Sequence, residues 1–253
     1  LSGSGAKTMT GVSTINGNFT LAGTASASAA AALTIGGTVT LGNGTAFTAG
    51  SYTHNVAGGW TNNGTTFTNT GSTINFNGTT QVIGGSATTT FSNLSTSGST
   101  YTSTGVATII SGTLAIGNGT TFTAAGYDLT VTGTTTIGTG TSGSLIISSA
   151  TGTKLFTGLV TNNVGGTWNN SGNSAVEFRG GITNSGTFTA GSGVYTFTTN
   201  AQALTGTFSI PSVTVTTVTL TNNNTLTVAT ALAGTGGLTN AATGTLNLDG
   251  TCS

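Results

Sequence analysis

Apolar residues along this chain recur at every second position rather than every third or fourth. Phe19-Thr20-Leu21, Val39-Thr40-Leu41 and Val213-Thr214-Val215 each put two apolar side chains on one side of an extended segment and a threonine on the other, the period of a half-buried strand. Thr, Val, Ile and Phe all favour a pleated surface. The short apolar runs are bounded by Gly-Asn-Gly, Asn-Asn-Gly and Gly-Gly, which supply the positive φ that tight corners need. No stretch joins helical spacing to capping residues, so almost no helix is predicted.

The strands repeat. Ile15 to Leu21 aligns with Ile35 to Leu41, Asn43 to Thr48 with Asn63 to Thr68, Gly186-Thr187-Phe188 with Gly206-Thr207-Phe208, and Leu226 and Val228 with Leu246 and Leu248, each at a shift of 20; Ile116 to Thr120 aligns with Ile137 to Thr141 at 21. A strand of four to six residues cannot bury an apolar face alone, whereas stacked copies can. The pattern predicts an all-β fold, a parallel β-solenoid with coils of about 20 residues, in which Phe47 lies beneath Phe67 in an internal ladder. At about 4.8 Å per coil, roughly 12 coils make a rod of about 60 Å. Residues 1–253 read as one continuous repeat domain. Tandem β-sandwich domains are the alternative, favoured if the echo of Leu41 to Ala49 at Ile116 to Ala124, a shift of 75, marks the true unit. That echo, and a second one pairing Ile74-Asn75-Phe76 and Gln81 with Tyr195-Thr196-Phe197 and Gln202, read as duplications of multi-coil blocks.

Composition sharpens this picture. Of 253 residues, 43 are Gly but only six are charged, and net charge is zero. Gly-, Ser- and Thr-rich chains are often disordered, yet such chains usually carry high net charge and much Pro; this one has a single proline, Pro211, and 35% hydrophobic residues spread evenly. In-register stacking sets each residue on its own copy, so neutral Thr, Ser and Asn avoid repulsion and Asn ladders add hydrogen bonds. Lys7, Lys154 and Arg179 are too few and too scattered to displace counterions from nucleic acid or to hold an anionic membrane. No apolar run reaches the length of a membrane span; Ala25 to Ile35 comes nearest and is broken by Ser and Thr.

Candidate chemistry is sparse. His54 has no carboxylate, thiol or second imidazole near it in sequence and reads as an exposed or hydrogen-bonded loop residue. A glycosidase pair would have to come from Asp128, Glu177 and Asp249. Asp128 and Glu177 lie between two and three coils apart, but the groove-lining acids and bases of polysaccharide-cleaving β-helices are missing, so no enzyme is expected. Glu177 and Arg179 flank Phe178 and share a strand face as a surface ion pair. Gly117-Asn118-Gly119 lacks the helix and lysine of a phosphate loop, and the turns carry Asn or Thr where a calcium-binding solenoid carries Asp. Cys252 is alone and reads as an inert terminal thiol, with an intermolecular disulfide as the sharper alternative. No catalytic, cofactor or metal residue is assigned. Two surface features remain: threonine rows such as Val213 to Thr219, the kind of array used by ice-binding solenoids, and aromatics such as Trp60, Trp168, Tyr52 and Tyr101, which could stack on sugars but fall mostly at core positions.

Gly59-Trp60-Thr61-Asn62-Asn63-Gly64-Thr65-Thr66-Phe67, followed by Ile74 to Gly85 and Phe91-Ser92-Asn93-Leu94, resembles the repeats of large secreted bacterial surface proteins, especially those of Bacteroidota, and the pattern recurs in part at Gly181 to Gly186 and Phe197 to Gly206. The resemblance implies an extracellular or cell-surface fibre or adhesin stalk. Neither terminus shows a polar cap, no signal-like segment opens at Leu1, and Leu246-Asn247-Leu248 continues the strand pattern. The expectation is therefore a segment of a longer chain or a filament subunit, with self-association as its main interaction, extracellular polysaccharide or other surfaces as further partners, and no nucleic acid or membrane insertion. An ice-binding or polysaccharide-binding solenoid is the alternative function.

Overall fold

The computed structural model describes residues 1–98 and 101–253. It is a parallel β-solenoid without helix among the described residues. Each coil has three strands, and stacking the coils makes three faces. The first face holds a four-stranded sheet, from Gly5–Met9 to Thr66–Thr68, and a nine-stranded sheet, from Thr89–Phe91 to Thr251–Cys252. A continuous 12-stranded sheet, from Thr14–Ile15 to Gly237–Asn240, forms the second face. The third is nine-stranded from Phe19–Leu21 to Thr187–Thr189 and three-stranded from Thr207–Ser209 to Thr245–Leu248. We number the coils 1 to 12 by their first-face strands, so that coil 3 begins at Ala46–Thr48, coil 7 at Leu129–Val131, coil 8 at Lys154–Phe156, coil 9 at Val176–Phe178 and coil 10 at Val194–Phe197, while Thr251–Cys252 follows coil 12.

Strand pairing is parallel throughout, as in Gly5↔Ala25, Ile15↔Ile35 and Phe19↔Val39, which excludes antiparallel sandwiches. The expected ladders form: Ile116 lies on Ile137, Leu226 on Leu246, and the Phe47 and Phe67 rings stack 5.8 Å apart and 5° from parallel. The spacing is elastic, however. Gln202 pairs with Leu220 across a coil shorter than the prevailing period, whereas Thr135 pairs with Val160 across a distinctly longer one. Strands must stay in register, but corners face solvent and can absorb extra residues.

The two long-range echoes are not block duplications. Leu41 ends a third-face strand and Phe47 lies on the next first-face strand, whereas Ile116 ends a second-face strand and Phe122 lies on the third face. The copy is rotated by one face. What is copied is the corner: Thr45 Oγ1 donates to Gly42 O at 2.6 Å and Thr120 Oγ1 to Gly117 O at 2.7 Å, with Gly44 at φ 75° and Gly119 at φ 74°. Gln81 and Gln202 behave alike. Each comes shortly after a buried Phe, Phe76 or Phe197, and donates its amide to the carbonyl one coil below that Phe, Val56 O and Phe178 O, but on different faces. One corner sequence therefore serves at more than one of the three corners.

Inward side chains fill the rod. One aromatic cluster joins Phe19, Phe47, Phe67, Trp60 and Phe91; another joins Phe156, Trp168, Phe178, Phe188, Tyr195 and Phe197. Between them the core is mainly aliphatic, with Ile110, Leu114, Ile116, Leu129, Val131 and Ile137 fully buried. Asn ladders run from coil to coil as expected: Asn75 donates to Asn55, Asn162 to Asn184 and Asn222 to Asn240, all at 2.8–2.9 Å.

Candidate functional site

Four of the six charged residues gather on or beside the first face in coils 7 to 9: Asp128, Lys154, Glu177 and Arg179. The outward column there runs Thr130, Leu155, Glu177, Thr196 on successive strands, and the residue before each of the first three strands (Asp128, Thr153, Ala175) flanks it. The step from Leu129 to its partner Lys154 is longer than the usual coil, and part of the excess is the corner segment 148–153, which makes a rim. Together these residues bound a shallow groove of about 470 Å³, lined by Asp128, Ala150, Leu155, Ala175, Glu177 and Thr196 among others.

Lys154 is not a surface cation. Alternation sets it on the same side as Phe156, inside the coil and 1% exposed. Its Nζ turns to the corner and donates to three carbonyls, Tyr127 O at 2.9 Å, Thr151 O at 2.9 Å and Gly152 O at 3.0 Å. An ammonium has three donors, so none is left for a ligand. Burial pushes its pKa down, offset in part by the Asp128 carboxylate. Gly152, at φ 72°, is held so close that a Cβ would sit 2.4 Å from the Tyr127 carbonyl carbon.

Both carboxylates remain ionised. Asp128 Oδ1 accepts from Thr153 N at 2.7 Å, and the Thr153 backbone and hydroxyl hold its pKa below the ordinary value. For Glu177, burial acts upward, but hydrogen bonds from Arg179 Nε at 2.7 Å and Thr198 Oγ1 at 2.6 Å prevail, and its pKa is lowered. A general acid needs the opposite, a carboxyl whose surroundings hold its proton near neutral pH. Asp128 and Glu177 thus meet in one groove as the sequence allowed, separated by two strand steps, about 10 Å along the rod. Asp249 is exposed after the coil 12 strand Thr245–Leu248, and Lys7 is exposed on Gly5–Met9. No group of three or more His, Cys, Asp or Glu suited to a metal occurs among the described residues.

His54 is hydrogen-bonded, one of the two expectations, but on a strand rather than in a loop. It lies on the second-face strand Thr53–Val56, 1% exposed, facing inward with Val56. Leu33 N donates to Nδ1 at 3.1 Å and Nε2 reaches Ala49 O at 2.8 Å. Nδ1 accepts and Nε2 donates, which is the neutral tautomer. Burial lowers its pKa against the raising effect of the Ala49 carbonyl.

Trp60 and Trp168 are buried and offer no sugar platform, whereas Tyr52, Tyr101 and Tyr127 expose their rings. Tyr195 is an interior hub missed by sequence reasoning: its Oη accepts from Trp168 Nε1 at 3.1 Å and Asn170 Nδ2 at 3.2 Å and donates to Ala190 O at 3.0 Å. Burial drives its pKa up to about 12. Asn170 in turn ties the corner below the groove, through Ser174 N and O at 3.0 and 2.8 Å.

The threonine segment Val213 to Thr219 does not make one flat row, because Thr214 faces out on the first face, Thr216 and Thr217 turn the corner, and Thr219 opens a second-face strand. The regular array lies on the third face. Its outward pairs are Thr167/Asn169 and Thr187/Thr189 in coils 8 and 9, then Thr207/Ser209, Thr225/Thr227 and Thr245/Asn247 in coils 10 to 12. The ladder is interrupted between Thr189 and Thr207. Cys252 is exposed and free.

No family model, curated protein or solved structure matches the chain.

Proposed function

We propose that this protein is a structural element, a stiff extracellular spacer or fibre of the kind that carries adhesive surfaces away from a bacterial cell, which attaches and associates through neutral faces and performs no chemistry. The observation that carries the reading is a continuous 12-coil stack whose second face runs unbroken from Thr14–Ile15 to Gly237–Asn240. A chain of zero net charge with six charged residues has almost no Coulombic barrier to lateral association, and its hydroxyl- and amide-rich faces offer hydrogen bonds to a like surface. Sedimentation velocity and negative-stain imaging test this. Rods of about 60 Å that associate side by side or end to end, equally at 0.05 and 1 M salt, are expected. Rods that stay monomeric at tens of micromolar would overturn it.

The third-face array favours a second reading, binding to ordered water at an ice surface. Threonines at i and i+2 stand about 6.7 Å apart along a strand, and coils repeat about every 4.8 Å, so Thr207, Thr225 and Thr245 with Ser209, Thr227 and Asn247 form a two-column lattice of polar groups. Thermal hysteresis lost in Thr227→Tyr supports it; its absence in the unaltered protein removes it.

A further inference from the structure

The rod is regular except where its charge is. Coils 7 to 9 carry four of the six charged residues and the widest paired steps on the first face. A stack held by neutral ladders has no structural need for carboxylates, and Glu177 lies in a column otherwise filled by Thr, Leu, Ile and Ala. Each carboxylate has one oxygen anchored, Asp128 Oδ1 on Thr153 N and Glu177 Oε1 on Arg179 and Thr198. Among the described residues the one other hydrogen bond to either carboxylate comes from the Thr153 hydroxyl to Asp128.

We propose that this groove binds a segment of a neutral polysaccharide. Three features select that ligand. Fixed, ionised carboxylates accept strong hydrogen bonds from hydroxyl groups, and two of them, about 10 Å apart along the rod, suit a chain of sugar rings rather than a single small molecule. Between them the floor is Leu155, half-buried, with Ala150 and Ala175 exposed beside it, apolar surface of the kind that covers the C–H faces of a sugar. Finally, no free cation lines the groove: the Lys154 ammonium is saturated by three carbonyls, and Arg179, paired through Nε with Glu177, is not among the lining residues. An anionic glycan would meet two carboxylates and no free cation in the lining, and the local charges sum to zero, so nothing favours a free cation. This site stands apart from self-association, because it lies on a single rod.

The test is calorimetric titration of dilute full-length protein, shown monomeric by sedimentation, with cellohexaose, xylohexaose, mannohexaose and maltohexaose, and with polygalacturonate as the anionic control. At least one neutral hexaose is expected to bind with a millimolar or tighter constant. Asp128→Asn and Glu177→Gln should each weaken binding fivefold or more, and Leu155→Asp should abolish it, while Thr48→Ala in coil 3 of the same face leaves it unchanged. Asp128→Asn keeps an oxygen for Thr153 N, so its melting temperature should hold and separate lost binding from lost fold. No neutral binding, neutral binding that all three groove variants retain, or a preference for polygalacturonate overturns the proposal. Fibre formation is read separately at high concentration, so either idea can fail alone.

Discussion

The two aromatic clusters bury the same kinds of rings and treat their polar atoms differently. In coils 3 to 5, Trp60 packs against Phe67 and Phe91 at 4.9 and 5.3 Å, and its buried Nε1 has no hydrogen-bond partner among the described residues. In coils 8 to 10, Trp168 packs as closely on Phe156 and Phe178, yet its Nε1 donates to Tyr195 Oη, itself tied to Asn170 and Ala190. In the first cluster the tryptophan donor is orphaned and the one polar ring, His54 beside Phe47, is tied to Leu33 and Ala49 rather than to the tryptophan; the second is a connected network that also fixes the groove corner. An unmet buried polar group costs about 1–3 kcal/mol, while a hydrogen bond that is made contributes about 0.5–1.5 kcal/mol. The second cluster should therefore lose more than the first when a polar atom is removed.

Tyr195→Phe is the largest expected effect. It strands Trp168 Nε1 and Ala190 O and takes a partner from Asn170, and should cost about 3 kcal/mol. Trp60→Phe removes an orphan at the expense of some packing and should cost about 1 kcal/mol. Solenoid coils open locally rather than all at once, so amide hydrogen exchange in the flanking strands is the measurement. Equal losses in the two clusters would mean that polar satisfaction is not what separates them.

Lys154→Met comes next. It keeps the length of the side chain and removes the donors from the Tyr127, Thr151 and Gly152 carbonyls. Relief from burying a charge opposes the loss, so about 2 kcal/mol is expected, with exchange faster at the 148–153 corner first. A neutral or stabilising result would show that solvent already satisfies those carbonyls.

The contrast was only partly legible in the sequence. The period and the alternation of Phe19-Thr20-Leu21 are imposed by stacking and pleat, so fold, coil length and the Phe47–Phe67 ladder could be read directly. Corners carry no such constraint, which hides the short step from Gln202 to Leu220 and the long one from Thr135 to Val160, and makes portable corner sequences resemble duplicated blocks. His54 reads from sequence as an exposed or hydrogen-bonded loop residue and the burial of Lys154 goes unseen, although parity held the answer: His54 shares the side of Val56, and Lys154 that of Phe156. Tyr195 occupies an ordinary ladder position, with nothing in one dimension to join it to Trp168 and Asn170.

His54 makes the first cluster sensitive to pH where the second is not. Its folded pKa lies below the ordinary 6.5, so below pH 6.5 the unfolded chain takes up a proton before the folded one does, and stability falls as pH falls. The slope is at most about 1.4 kcal/mol per pH unit. Between pH 6.5 and 5, hydrogen exchange corrected for intrinsic rates should accelerate near Leu33 and Ala49 and not around Tyr195. His54→Gln should flatten the dependence; an unchanged slope would place its origin elsewhere.

The smallest expected effect is the most direct probe of what charge does here. Glu177 and Arg179 are about one-third exposed and form the one ion pair among the described residues. Such pairs contribute below about 1 kcal/mol, and salt screens them. Glu177→Gln keeps an acceptor for Arg179 and Thr198, so the melting temperature should move little at low salt and not at all at 1 M. A large loss would make the carboxylate part of the scaffold, and the second cluster would then owe its stability to charge as well as to the Tyr195 network. A small one leaves Glu177 without a structural reason to interrupt a neutral column, and the reason must then be sought in the groove it faces.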